Sequence, residues 1–198
     1  MATDAPDLPI KLFRTAMAWE KWLGANTTRP GLWLRIAKKD AGVVSVSYAE
    51  ALEVALCHGW IDGQRRTFDE RSFLQRFTPR RPRSLWSKIN VGKAEALIAA
   101  GRMREGGLRE IELARADGRW AAAYASAAVM DVPPDLAAAL AKAPEAAVFF
   151  ESLDRTNRYA VCWRVHTAKK AETRAARVEK LVAMLARGER IHAKLRRK

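Results

Sequence analysis

The sequence has 198 residues and a mass of 22.1 kDa, the size of one ordinary domain or of a domain with a smaller appendage, and its 49% apolar residues can bury a sizeable core. Lys and Arg total 36 against 22 Asp and Glu, giving a net charge of +14 that favours polyanionic partners such as nucleic acid, acidic lipid headgroups or acidic proteins, although a high-GC genome produces the same Ala and Arg bias. The sequence has no apolar run of 18 residues, so we expect no membrane insertion. Its acidic N-terminus is unlike a signal peptide and its two cysteines are well separated, so we expect a cytoplasmic protein with reduced thiols.

Helices and strands alternate over the first part of the chain. Ser47 and Glu50 have the spacing of a capping box, so a helix begins there, and Gly59 ends it. Aromatic and β-branched residues on either side of a polar turn predict a hairpin after this helix. The predicted elements, in chain order, are a loose arm over 1–10, a helix over 16–23, a strand over 31–37, a helix over 47–58, and hairpin strands over 60–67 and 72–78.

The middle of the chain is predicted to be a basic segment followed by helices. Residues 79–83 form a basic link, and Ser84 is expected to cap a helix that runs to about residue 100. Two further helices are predicted over 108–117 and 119–128, separated by Gly118.

The C-terminal part is predicted to be entirely helical. The predicted helices cover 136–142, 144–152, 157–166 and 172–187. The fold class is therefore α+β: a small antiparallel sheet covered by helices, followed by a helical C-terminal part. We expect an α+β domain over 1–130, a helical region over 131–188 and a basic tail over 189–198.

Five segments of the sequence are distinctive, namely residues 55–63, 77–90, 101–103, 132–136 and 168–174. These segments resemble those of the bacteriocin-protection, YdeI/OmpD-associated family. The resemblance implies a role in protection against bacteriocins or antimicrobial peptides. It brings no catalytic residues with it, and a non-catalytic protein without a cofactor or a metal site is favoured over an enzyme.

The segment around residues 80–90 is the first candidate binding site. Arginine side chains beside the free N–H groups of a helix start can hold phosphate or carboxylate, short polar side chains add hydrogen bonds, and an indole can stack on a ring. The candidate residues for an anionic small molecule or an acidic partner are Asp62, Arg80, Arg81, Ser84, Trp86, Ser87 and Asn90. In the alternative interpretation the arginines pair with hairpin carboxylates and Trp86 belongs to the core.

Asp62 admits three interpretations. It can orient Arg80 or Arg81 as a buried ion pair, act as a general base of an enzyme on a phosphorylated or carboxylated small molecule, or be an ordinary hairpin residue.

Nucleic acid is the alternative partner. Residues 61–104 carry eleven basic and four acidic side chains, and residues 161–198 carry twelve and three, so positive charge is concentrated in two segments. Sequence-independent binding to phosphates would use Arg65, Arg66, Arg83, Lys170, Arg174 and Arg177. The basic C-terminal helix could also be an ordinary solvated face.

Overall fold

The computed structural model describes residues 8–126 and 129–193, and the chain divides into two compact units, Met1–Ala123 and Tyr124–Lys198. The division falls upstream of the domain boundary expected at residue 130. No helix in the described ranges is long and apolar enough to cross a bilayer.

A four-stranded sheet forms the centre of the first unit. Its strands are β1 (Ile10–Lys11), β2 (Leu32–Ala37), β3 (Trp60–Thr67) and β4 (Ser72–Pro79), in the spatial order β1-β2-β4-β3. The two pairings that involve β4 are antiparallel, and β1 lies parallel to β2. The α+β prediction is confirmed, and β1 is added to the edge of the sheet where the expected loose arm ends, since Ile10 is the last residue of that arm.

Helices cover one face of this sheet. They are α1 (Ala16–Ala25), α2 (Tyr48–Cys57), α3 (Lys88–Ala99) and α4 (Glu105–Ala116). Trp19 and Leu23 are one helical turn apart in α1 and both are fully buried. They join a core with Leu34 from β2 and Phe77 from β4, so the helices pack on the sheet face that carries these apolar side chains.

Three local predictions are decided by the structure. The capping box is confirmed, since the Ser47 hydroxyl accepts from the Glu50 amide and the Glu50 carboxylate accepts from the Ser47 amide. The prediction that Ser84 caps a helix is wrong, because Ser87 is the cap and the helix begins at Lys88. The helix predicted over 119–128 is absent from the described residues 119–126, and residues 127 and 128 lie outside the description.

The second unit contains helices only among its described residues. They are α5 (Pro134–Ala141), α6 (Pro144–Glu151), α7 (Arg155–His166) and α8 (Ala171–Ala186). Leu136, Phe150, Val161 and Leu185 contribute to a separate core, so the predicted helical C-terminal part is confirmed. The end of the predicted basic tail, residues 194–198, lies outside the described residues.

Candidate functional site

Arg80 and Trp86, from the first candidate site, are buried against each other. The guanidinium carbon of Arg80 lies 3.5 Å from the centroid of the indole ring, and its Nη1 donates to the carbonyl of Leu85 at 3.3 Å. The indole of Trp86 also contacts Trp120, whose ring meets it edge-on at a centroid distance of 4.8 Å. Both Arg80 and Trp86 therefore lie inside the first unit, with exposures of 6% and 1%.

The short polar residues of this segment serve local backbone geometry. The Ser87 hydroxyl accepts from the amide of Asn90 as the cap of α3. The Ser84 hydroxyl accepts from the amide of Arg81 at 3.0 Å, which closes a turn ahead of the helix. Arg81 and Arg83 are exposed, and Arg83 adopts a left-handed backbone conformation with φ of 69°. The segment therefore presents two exposed arginines outside the helix start, with Arg80 turned inward.

Asp62 is paired with a tyrosine. The Tyr48 hydroxyl donates to its Oδ2 at 2.7 Å. Burial is the main cause that raises the pKa of Tyr48, and the hydrogen bond to Asp62 adds to it, so the phenol keeps its proton and donates. The interpretation of Asp62 as the ion-pair partner of Arg80 or Arg81 stays a prediction, and the contact observed for the Asp62 carboxylate is the hydrogen bond from Tyr48.

Arg65 and Arg66 lie on opposite faces of the sheet, as neighbours in a strand do, and a bulge in β3 sets which face each one takes. The register shifts between Asp62 and Arg65, so Arg65 pairs with Gln75 and Arg66 pairs with Leu74. The Gln75 amide donates to the carbonyls of Gly63 and Gln64 and so satisfies the backbone of the bulge. Arg65 stacks on Phe73, whereas Arg66 stacks on Trp33 with its guanidinium carbon 4.0 Å from the ring centroid.

The sheet face opposite the helices is lined by arginines. Since side chains alternate along a strand, burial of Leu32, Leu34 and Ile36 places Trp33 and Arg35 on the opposite face. The register then sets Arg76 beside Trp33 and Leu74 beside both Arg35 and Arg66. We call this surface the arginine face, made of Trp33, Arg35, Arg66, Leu74 and Arg76.

The long side chains of the arginine face cover its apolar floor. Leu74 is 2% exposed although it is absent from the helix-side core. The stem of Arg76 lies across Gly63, where an added Cβ would be 3.8 Å from it. The stems of arginines can cover apolar surface in this way while their charged ends stay at its rim.

Positive charge on this face is only partly neutralised. Arg35 donates from Nη2 to Asp69 at 2.8 Å and from Nε to the Ser72 hydroxyl, and hydrogen bonds led by that from Ser72 lower the pKa of Asp69. Within the described residues, neither Arg66 nor Arg76 has a carboxylate within ion-pair distance, and the buried Nε of Arg76 has no hydrogen-bond partner. The face thus carries two uncompensated guanidinium groups beside a half-buried indole.

Four residues of the arginine face were missing from the sequence-based sites, namely Trp33, Arg35, Leu74 and Arg76. The alternation of Leu32, Trp33, Leu34, Arg35 and Ile36 is a signal that could have placed the first two on an open sheet face. Arg76 carries no such local signal, since its position beside Trp33 depends on strand register.

The remaining predicted nucleic-acid residues belong to the second unit. Arg174 donates to both carboxylate oxygens of Asp135, at 2.6 and 2.8 Å, and to the carbonyl of Val165. Arg177 donates to backbone and hydroxyl oxygens near the end of α7, and Lys170 is exposed at the start of α8. Arg174 is therefore held by an internal ion pair, whereas Arg177 has no carboxylate partner in the described part of the chain.

Thiols and potential metal ligands are dispersed. Burial raises the pKa of both Cys57 and Cys162, and neither forms a disulfide. Residues 8–126 and 129–193 contain no group of three or more His, Cys, Asp or Glu side chains placed to hold a metal ion.

The fold thus defines an α+β protein with a separate helical C-terminal unit and a basic, open sheet face. Residues 11–110 match a family described as a domain of unknown function, DUF8412, and since the match spans just over half of the chain, the chain belongs to that family. Residues 129–188 match the family described as bacteriocin-protection, YdeI or OmpD-associated, which confirms the resemblance. No curated protein and no solved structure matches the chain.

Proposed function

We propose that the chain is a non-catalytic polyanion-binding protein whose arginine face binds single-stranded nucleic acid. The observation that carries the proposal is the pair Arg66 and Arg76, of which Arg66 stacks on the Trp33 ring and Arg76 lies beside Trp33 on the next strand, and neither has a carboxylate partner among the described residues. Guanidinium groups bind phosphate oxygens through paired N–H donors, and an indole beside them provides a surface on which a base can stack.

The shape of the face favours an extended polymer over a small molecule. Small-molecule sites are concave and enclose most of their ligand, whereas a sheet face presents its side chains across a broad surface. Along β2, Trp33 and Arg35 are two residues apart, about 7 Å in a strand, a spacing of the same order as that between nucleotides in an extended single strand. An extended polyanion can therefore contact the indole and successive arginines at once.

The first candidate site, around residues 80–90, is less suited than the arginine face to binding an anionic partner. Arg80 and Trp86 are buried, and Ser84 and Ser87 are occupied by backbone amides. The enzyme alternative is also less favoured, because the Tyr48 hydroxyl occupies one oxygen of the proposed base, Asp62.

The cellular setting is part of the same proposal. The family matched by residues 129–188 is described in terms of bacteriocin protection. A chain with a net charge of +14 repels cationic peptides, so we place its action in the cytoplasm, on an anionic partner, with any protection being indirect.

Fluorescence anisotropy with a labelled oligothymidylate, measured over a salt series, tests the proposal. We expect binding that weakens as salt rises, with a slope of about 0.7 per phosphate contact for a single strand. Arg66→Gln and Arg76→Gln should each reduce both the affinity and this slope, and Trp33→Leu should reduce the affinity with little change in slope.

The matched control is Arg109→Gln, which removes one positive charge from an exposed position on α4, on the helix side of the first unit. It should keep nearly all of the wild-type affinity. Absence of binding at low salt, or an equal loss in Arg109→Gln and Arg66→Gln, would refute the proposed face.

A further inference from the structure

A pocket of about 650 Å³ lies between α7 and α8 in the second unit. Its wall includes Arg164 and Thr167 at the end of α7, together with Arg177, Lys180 and Met184 along α8. The volume falls within the range of small-molecule sites in proteins. The pocket shares no residue with the arginine face.

The pocket is strongly positive. Four cationic side chains line it, and the one carboxylate among them, Glu189, is held by two hydrogen bonds from Arg187 at 2.8 and 3.0 Å. The other three cations are Arg164, Arg177 and Lys180. No carboxylate lies within ion-pair distance of these three in the described part of the chain, so three positive charges face one cavity without compensation.

Arg177 is held in place without being neutralised. Its Nη1 donates to the carbonyl of Arg164 at 2.7 Å and to the Thr167 hydroxyl at 3.1 Å, and both acceptors are uncharged. Its Nε and Nη2 donate to no group among residues 8–126 and 129–193. A guanidinium fixed by one nitrogen, with further donors available, loses less conformational entropy when it binds an anion.

One wall of the pocket is aromatic and apolar. The indole of Trp163 is half-buried there, meets Tyr124 edge-on at a centroid distance of 4.5 Å, and has the nearly parallel rings of Tyr159 and His166 at centroid distances of 5.8 and 6.0 Å. Leu181 and Met184 continue this wall on α8. A flat ring placed against the indole would gain stacking and apolar contact while an attached anion reached the three cations.

We propose that this pocket binds a phosphorylated small molecule that carries a flat ring, the chemical class of a mononucleotide. Arg164, Arg177 and Lys180 hold the phosphate, and Trp163 provides the surface for the ring. The site is independent of the proposed nucleic-acid face and gives the helical unit a ligand of its own. Its phosphate is largely dianionic above pH 7, which matches the uncompensated charge.

Calorimetric titration of the full chain with adenosine 5′-monophosphate, inorganic phosphate and adenosine tests the cationic part and the aromatic part of the site separately. We expect the monophosphate to bind more tightly than phosphate, and adenosine to bind most weakly. Arg164→Gln and Lys180→Gln should each weaken monophosphate binding by about five- to tenfold, the loss typical of one charge-assisted contact. Trp163→Leu should weaken the monophosphate and leave phosphate unchanged.

Arg155→Gln is the matched control, since Arg155 is an exposed cation at the opposite end of α7 and lies outside the pocket. It should bind the monophosphate as wild type does. Equal losses in Arg155→Gln and Lys180→Gln would overturn the site. Equal affinities for phosphate and the monophosphate would refute the role of Trp163 in binding the ring. If Trp163→Leu fails to fold, Trp163→Phe, which keeps a smaller aromatic surface, provides the same test.

Discussion

Arg80 lies over the indole of Trp86, with its guanidinium carbon 3.5 Å from the ring centroid, and the indole Nε1 of Trp86 has no hydrogen-bond partner among the described residues. Trp86 is 1% exposed, so it contributes through apolar packing and through the cation–π contact. Its N–H group is a buried donor that lowers the stability of the fold, since such a group loses its hydrogen bonds to water.

Comparing Trp86→Phe with Trp19→Phe isolates the effect of the indole N–H. Trp19 is equally buried, but its Nε1 donates to the carbonyl of Ala51 at 3.1 Å. We expect Trp19→Phe to destabilise the first unit by about 1–2 kcal/mol more than Trp86→Phe, because it alone removes a satisfied hydrogen bond. The free energy of unfolding in urea measures the difference, and a larger loss in Trp86→Phe would contradict it.

The burial of Trp86 also explains why one helix start could not be read from sequence. Ser84 and Ser87 are both acceptable caps, and nothing local distinguishes them. Placing Trp86 in the core keeps the backbone just before Ser87 out of the helix, which is a tertiary effect. By contrast, the Ser47 and Glu50 capping box is complete within four residues, and it was predictable for that reason.

The arginine face was less predictable than the fold because it depends on register. Arg76 reaches Trp33 only through the pairing of β4 with β2, and Arg66 reaches it only because of the bulge in β3. A shift of one residue would place Arg65 opposite Leu74 and turn Arg66 toward the helices. Alternation along β2 was visible in the sequence, whereas the bulge and the pairing were not.

Gly107 should be intolerant of any side chain. A Cβ at this position of α4 would lie 2.7 Å from the carbonyl oxygen of Leu56 and closer still to that of Cys57, at the end of α2. Backbone atoms cannot rotate away, so we expect Gly107→Ala to destabilise the first unit by about 3 kcal/mol.

The control is Gly92→Ala in α3, where an added Cβ meets nothing within 4 Å. Since alanine favours helix over glycine, this variant should be more stable by about 0.5–1 kcal/mol. Urea denaturation followed by circular dichroism measures both variants, and similar stabilities for the two would refute the packing argument.

The ion pair between Arg174 and Asp135 should support the second unit near neutral pH. It joins α8 to the first turn of α5, and its side chains are 32% and 39% exposed. Because solvent screens the pair at this exposure, we expect Asp135→Asn to cost only about 1 kcal/mol at pH 7, measured as the free energy of unfolding.

The same variant should show a defined pH dependence. The hydrogen bond from Arg174 is the main cause that lowers the pKa of Asp135. Stability from such a carboxylate is present above its unfolded pKa of about 3.9 and is lost as pH falls through the lower folded value. The stabilities of wild type and Asp135→Asn should therefore converge in strong acid, and an undiminished difference there would contradict this account.

His58 should make the first unit less stable in mild acid. Its imidazole is half-buried at the end of α2, and burial is the main cause that lowers its pKa, whereas the Glu20 carboxylate, 3.9 Å from Nε2, opposes that shift less strongly. His58 therefore binds a proton more tightly in the unfolded chain than in the folded chain. Its contribution to stability is complete above the unfolded pKa of about 6.5, and it declines as pH falls through the unfolded pKa toward the lower folded pKa. His58→Phe should flatten the unfolding free energy between pH 7.5 and 5.5 relative to wild type. His166→Phe is the control, since His166 is exposed in the folded chain. A flattening of equal size in this variant would remove His58 as the cause.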